Sequence, residues 1–243
     1  MFKKIIIYLF LLTSLVVAND ILHEGILNYK SGEFSKAAQL FEKACNDNMK
    51  EACNNYAFLL TTGQGTKVDI AKAAQFYIKA CELGNGEGCY NAGSLLINYN
   101  DRLENFSNIL KLFEKACELG NKEGCYNLGI IYTNGISSAI NMDKAIEYFD
   151  KACKANYNIA CQNVGAITFK EDAKKAAQYF KIACDDGNYL SCYNLGIAEI
   201  KLAQTKDELI KAKNTLDFAC KNGENLSCEA SKAIQNSINI LSH

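Results

Sequence analysis

The stretch FEKACELGNKEGCYNLG, residues 113–129, holds two helical segments joined by a glycine turn, with a cysteine on either side of that turn. It recurs along the chain. The segment before the first cysteine reappears as FEKAC (41–45), YIKAC (77–81), FDKAC (149–153), FKIAC (180–184) and LDFAC (216–220). An alanine stands eight residues earlier in most copies (Ala37, Ala73, Ala145, Ala176, Ala212), so small and apolar residues fall on one helical face. The segment at the second cysteine reappears as CNNYA (53–57), CYNAG (89–93), CQNVG (161–165) and CYNLG (192–196). Its small fifth residue (Ala57, Gly93, Gly129, Gly165, Gly196) costs a helix up to about 1 kcal/mol when it is glycine. A recurrent cost of that kind is explained by close approach of a neighbouring helix.

All twelve cysteines fall into pairs eight residues apart: Cys45/Cys53, Cys81/Cys89, Cys117/Cys125, Cys153/Cys161, Cys184/Cys192 and Cys220/Cys228. The pairs repeat every 36 residues except for one step of 31. A fixed period of this length is the mark of a repeat architecture. The third residue after each first cysteine is Asn48, Gly84, Gly120, Asn156, Gly187 or Gly223, the residue types that accept the left-handed conformation closing a helix. The first cysteine then sits in the last turn of one helix and its partner in the first turn of the next. A disulfide needs Cα atoms roughly 4.4–6.8 Å apart, and the tight turn supplies that approach. A linkage used in every repeat is Cys n to Cys n+8, because a longer one would break at the 31-residue step. Zinc is disfavoured by the seven-residue spacer and by having only His23 and His243 to assist.

The spacing predicts an all-α chain of about six disulfide-stapled helical hairpins plus a C-terminal capping helix. The first helix of each unit is expected near 20–30, 51–62, 87–98, 123–133, 159–169 and 190–203. The second is expected near 34–47, 69–83, 104–119, 142–155, 172–186 and 207–222, with the closing helix at 227–241. Residues 63–69 and 134–141 read as long loops at the edge of the stack, where length changes are tolerated.

Residues 1–18 differ from the rest: Lys3 and Lys4, an apolar run from Ile5 to Val17, then Ala18 before the expected cut. This reads as a secretory signal peptide, leaving 19–243 as one repeat domain. The rival reading, a membrane anchor, is short of the ~20 residues that span a bilayer. Export to the periplasm or medium fits an even number of cysteines in an oxidising compartment. The charge balance, 26 basic against 27 acidic residues, lacks the basic stripe that nucleic-acid binding requires.

The phrases CYNLGIIYTNG (125–135), TTGQGTKVDIAKAAQFYIKACELGNGEGC (61–89) and FEKACELGNKEGC (113–125) resemble the Sel-1-like repeat, a relative of the tetratricopeptide repeat. With the cysteine pairs they are similar to the Helicobacter cysteine-rich protein family. The resemblance implies a right-handed αα superhelical solenoid, export, and disulfides across each short turn. It also implies β-lactam binding or weak β-lactamase (β-lactam hydrolase) activity. NYNDRLENFSN (99–109) departs from the family's loop and helix start.

No serine has a lysine three residues on, as a serine β-lactamase requires. Two histidines are too few for a metallo-enzyme, and paired cysteines leave no thiol nucleophile. No catalytic residue, metal or cofactor is therefore assigned. The candidate binding residues are Asn55, Asn91, Asn127, Asn163 and Asn194, two after the second cysteine in five units. Such a row could hold the backbone of an extended peptide in a concave groove, each amide offering donor and acceptor. Equally, each could satisfy backbone groups between adjacent units. Tyr90, Tyr126 and Tyr193 read as packing residues. The expected function is a repeat scaffold for a peptide, a protein or a peptidoglycan-derived ligand, with β-lactam binding as the alternative.

Overall fold

The computed structural model describes residues 17–99, 106–136 and 140–240. Most of the segment read as a signal peptide lies outside the described residues, as does most of the aberrant 99–109 loop. Among the described residues every regular element is a helix. Helix α1 covers residues 17–30, so the expected cut after Ala18 falls inside it. There follow α2 (Phe34–Asn46), α3 (Lys50–Thr62), α4 (Ile70–Glu82), α5 (Gly86–Tyr99), α6 (Phe106–Glu118) and α7 (Lys122–Asn134). The remainder are α8 (Met142–Lys154), α9 (Asn158–Thr168), α10 (Ala173–Asp185), α11 (Tyr189–Leu202), α12 (Lys206–Lys221) and α13 (Asn225–Ile240). These bounds lie within about three residues of those read from the repeat, the tolerance expected of helix ends.

The chain divides into two compact units, up to Gly124 and from Cys125 on. In each, odd-numbered helices, here called A helices, alternate with even-numbered B helices. The B-helix segments bury the same positions throughout. Phe41, Tyr77, Phe113, Phe149, Phe180 and Leu216 stand four before the cysteine, and all are at most 4% exposed. The alanine just before each first cysteine is fully buried, from Ala44 to Ala219.

The turns form as the Gly/Asn signal predicted. Asn48, Gly84, Gly120, Asn156, Gly187 and Gly223 all have positive φ, between 61° and 97°. At each, the N–H of this residue donates to the carbonyl of the first cysteine, and the next N–H donates to the alanine carbonyl before that cysteine. These are the paired bonds of a Schellman motif, which satisfy carbonyls the helix leaves over. At three turns the following asparagine starts the next helix: the Oδ1 atoms of Asn85, Asn121 and Asn188 accept from Gly88, Gly124 and Ser191 N–H groups at 2.6–2.9 Å.

Each turn brings its cysteines together. Cys45–Cys53, Cys81–Cys89, Cys153–Cys161, Cys184–Cys192 and Cys220–Cys228 are bonded, with Cα separations of 4.4–4.9 Å. Cys117 and Cys125 are also disulfide-bonded.

The recurrent small residue has the role expected of it. A Cβ built on Gly93 would lie 3.0 Å from the Phe113 ring, on Gly129 2.5 Å from Phe149, and on Gly165 2.6 Å from Phe180. On Gly196 it would lie 2.6 Å from Leu216. Gly25 in α1 meets Phe41 in the same way, at 2.7 Å, so α1 is an A helix in register with the rest, with Ile21 where the others carry cysteine.

One expectation fails. The 63–69 loop is not a free edge: Gly65, at φ +70°, lies so close to α2 that a Cβ would stand 2.3 Å from the Phe34 carbonyl carbon. Thr66 Oγ1 and the Asp69 N–H donate to the Leu59 and Leu60 carbonyls. The loop folds back because its two glycines permit left-handed turns.

Candidate functional site

In the first unit three successive A helices enclose a cavity of about 350 Å³. Ile26, Tyr29 and Lys30 come from α1, Asn54, Asn55 and Phe58 from α3, Glu87 and Asn91 from α5, and Phe41 of α2 contributes to its wall. The surface it presents is mainly apolar, although five of the nine lining residues are polar: three amides and one charge of each sign. Polar groups set in an apolar surface are the usual make-up of a binding site. Phe58 is 41% exposed beside Tyr29, whose ring centroid is 6.5 Å away, so the aromatic lip faces solvent.

The structure separates the five candidate asparagines. Asn55 and Asn91 line this one cavity. Asn194 lines a second, of about 310 Å³, in the second unit with Phe169, Phe180 and Tyr193. Asn127 and Asn163 are half-buried on α7 and α9 and line none of the described cavities. The idea that these amides satisfy backbone groups finds no such bond among the described residues. Asn91 instead donates from Nδ2 to the Asn54 side-chain oxygen at 3.0 Å, joining α5 to α3.

Asn54, 6% exposed, is the residue that sequence reasoning missed. The signal was present as an exception, since Asn54 holds the position that Tyr90, Tyr126 and Tyr193 hold in other repeats. Those tyrosines pack as expected: Tyr90 lies 6.1 Å from Phe113, and Tyr126 5.5 Å from Phe149, between ring centroids. Tyr193 packs against the Leu216 cluster and also borders the second cavity.

The residue after Asn55 fixes α3 from its other side. Tyr56 is buried, its hydroxyl donating to Glu42 Oε1 at 2.8 Å and accepting from Lys72 Nζ at 2.9 Å. Burial alone would raise the Glu42 carboxyl, but the bonds from Tyr56 and Lys72 outweigh it and hold it below its ordinary value. Burial first, then the bond to Glu42, pushes the Tyr56 phenol up, against the opposing pull of Lys72. The three groups come from α2, α3 and α4, so they lock the helix that carries Asn54 and Asn55. Lys79 ties the same helices by donating from Nζ to the Cys45 carbonyl at 2.8 Å, where the end of a helix favours a cation.

A family model for the Sel1 repeat matches residues 20–49, 50–85, 110–121, 122–157 and 154–188. The chain belongs to the Sel1-repeat family. A solved Sel1-repeat protein from Oxalobacter formigenes superposes with TM-score 0.65 at 20% identity, over 85% of this chain and 86% of that one. A protective antigen of uropathogenic Escherichia coli displaying an SLR fold superposes with TM-score 0.63 at 20% identity, over 91% of this chain and 56% of that one. These likenesses show the Sel1 solenoid fold. The resemblance to Helicobacter cysteine-rich proteins is borne out by HcpE of Helicobacter pylori strain J99, a protein provisionally named a beta-lactamase. It is 47% identical over 51 residues, 21% of this chain and 14% of that protein. The matched part is therefore about a seventh of HcpE's length.

In the Sel1 frame each repeat is an A helix followed by a B helix, as in residues 50–85. The staple across each short turn thus ties the end of one repeat to the start of the next. Among the described residues no helix is long and apolar enough to cross a membrane, and no group of three or more His, Cys, Asp or Glu residues could hold a metal ion.

Proposed function

We propose that this Sel1-repeat chain is an exported scaffold that captures an extended peptide segment of a partner protein on its A helices. The supporting observation is the cavity of α1, α3 and α5. There an apolar wall can take one large side chain, while the Asn55 amide, with no hydrogen bond to the protein among the described residues, can pair with peptide backbone. Asn91 is already oriented by Asn54, so little ordering remains to be done on binding. Export rests on the leader-like residues 1–18 and on the disulfides, which persist only where thiols are not kept reduced.

Selection of peptides from a displayed library on the oxidised protein tests this reading. A selected peptide should lose at least about tenfold in affinity for Asn55→Ala, the loss of one well-made hydrogen bond of about 1.4 kcal/mol, with an unchanged circular dichroism spectrum. Equal affinity for the variant removes the groove from consideration. The HcpE match favours a second reading, β-lactam binding with weak hydrolysis. It requires that purified oxidised protein hydrolyse nitrocefin faster than a mock preparation.

A further inference from the structure

The cavities of the two units are built on one plan. Counted from the cysteine position of each A helix, Ala166 and Phe169 hold in the second unit the places that Ile26 and Tyr29 hold in the first. Phe180 stands for Phe41, and Tyr193, Asn194 and Ile197 of α11 stand for Asn54, Asn55 and Phe58 of α3. Every residue lining the second cavity thus has a counterpart lining the first. The second falls where the step between cysteine pairs is 31 residues rather than 36, in the repeat whose A helix already ends at Thr168.

What differs is the chemistry of the lining. The first cavity adds Lys30, Glu87 and Asn91, whose register counterparts Lys170, Leu226 and Ala230 do not line the second. The Tyr29 phenol gives way to the Phe169 ring, and the buried amide of Asn54 to the Tyr193 ring. Phe180 is 2% exposed, with the Phe169 ring 6.3 Å away. Asn194 makes no hydrogen bond to the protein among the described residues, so its amide keeps both donor and acceptor. A charged side chain entering this recess would lose water with no counter-charge to meet it. The cation beside its wall is Lys201, 4.8 Å from the Phe169 ring centroid. Lys201 repels a base, and it is already engaged by the Phe169 and Lys170 carbonyls at 3.1 and 3.3 Å.

We propose that this recess of about 310 Å³ is a second peptide site, one that takes an uncharged aromatic or aliphatic side chain of an extended segment while the Asn194 amide pairs with the backbone beside it. The assignment rests on the reading of the first cavity as a peptide site and adds the class of side chain. Where Lys30, Glu87 and Asn54 let the first cavity meet a polar end, the second offers rings and Ile197. Its selectivity is therefore a matter of desolvation, admitting phenylalanine and leaving lysine and glutamate in water.

The probes are end-blocked glycine pentapeptides carrying phenylalanine, lysine or glutamate at the centre. Each is titrated into the oxidised full chain while NMR spectra follow the side-chain amides of Asn55 and Asn194 and the Ile197 methyl groups. The phenylalanine peptide should shift Asn194 and Ile197 saturably, and the lysine and glutamate peptides should not. Asn194→Ala should weaken the response at Ile197 by about tenfold, the loss of one well-made hydrogen bond. Ala166 is exposed, so Ala166→Phe can fill the recess without disturbing the core. It should abolish the Ile197 response and leave both the Asn55 response and the circular dichroism spectrum unchanged. No shift at Asn194 with the phenylalanine peptide, equal affinity there for the lysine or glutamate peptide, or an undiminished Ile197 response in Ala166→Phe would each overturn the assignment. The two readings fail separately: silence at Asn55 with a response at Asn194 removes the first site and upholds this one, and the converse removes this one alone.

Discussion

Replacing Gly129 by alanine sets two effects of opposite sign against each other. Helix propensity alone favours alanine by about 1 kcal/mol in the middle of a helix. Against this, the new methyl would sit 2.5 Å from Cδ1 and Cε1 of Phe149, where ordinary contact begins near 3.4 Å. Phe149 is 1% exposed and has the Tyr126 ring 5.5 Å away, so it has no open space into which to turn. Overpacking a filled core costs typically 1–3 kcal/mol, and an overlap this large belongs at the upper end. The net expectation is destabilisation by about 1–2 kcal/mol, a fall in Tm of roughly 2–8 °C for a chain of this size. Gly93→Ala provides the comparison, because its methyl would stand 3.0 Å from Phe113 and needs only a small adjustment. Thermal unfolding followed by circular dichroism, with disulfides intact, should rank wild type and Gly93→Ala well above Gly129→Ala. A Gly129→Ala protein as stable as wild type, or more so, would refute the claim that close helix approach selects glycine here.

The alkaline limb of stability should depend on Tyr179. Burial and then the bond to Asp150 push its phenol up to about 12 from an ordinary 10.0, so the stabilisation is complete below pH 10 and is lost as the pH rises toward 12. Tyr179→Phe should flatten that limb in urea midpoints measured across it. Removing one interior staple, Cys153→Ser with Cys161→Ser, should cost about 2.5 kcal/mol from the reopened loop in the chain-entropy model, read as a shift in urea midpoint under non-reducing conditions.

Much of the architecture was legible because the same local solution is written repeatedly. Phe149, Gly129 and Asn156 each have counterparts at the same offset, so the B-helix core, the tight crossing and the left-handed turn could be inferred from agreement between copies. The 63–69 loop was misread because its contact with Phe34 is set by two glycine conformations that have no repeated counterpart. The site was less legible for a related reason. Repetition exposed Asn55 and Asn91, but the cavity exists where the pattern lapses, at Asn54 and in the cysteine-free helix α1. Tyr29 and Lys30 reach it only through the stacking of one A helix on the next, which spacing along the chain does not encode.

The placement of the staples also decides how the chain responds to being cut. A peptide bond broken anywhere between Cys45 and Cys53, or within any of the other short turns closed in this way, leaves both fragments covalently joined. A break in the 63–69 loop lies outside every described disulfide ring and parts the chain. On a non-reducing gel the tight turns would therefore be silent to a protease. Only cuts outside the rings, such as those between the A and B helices of a repeat, would register as shortened protein.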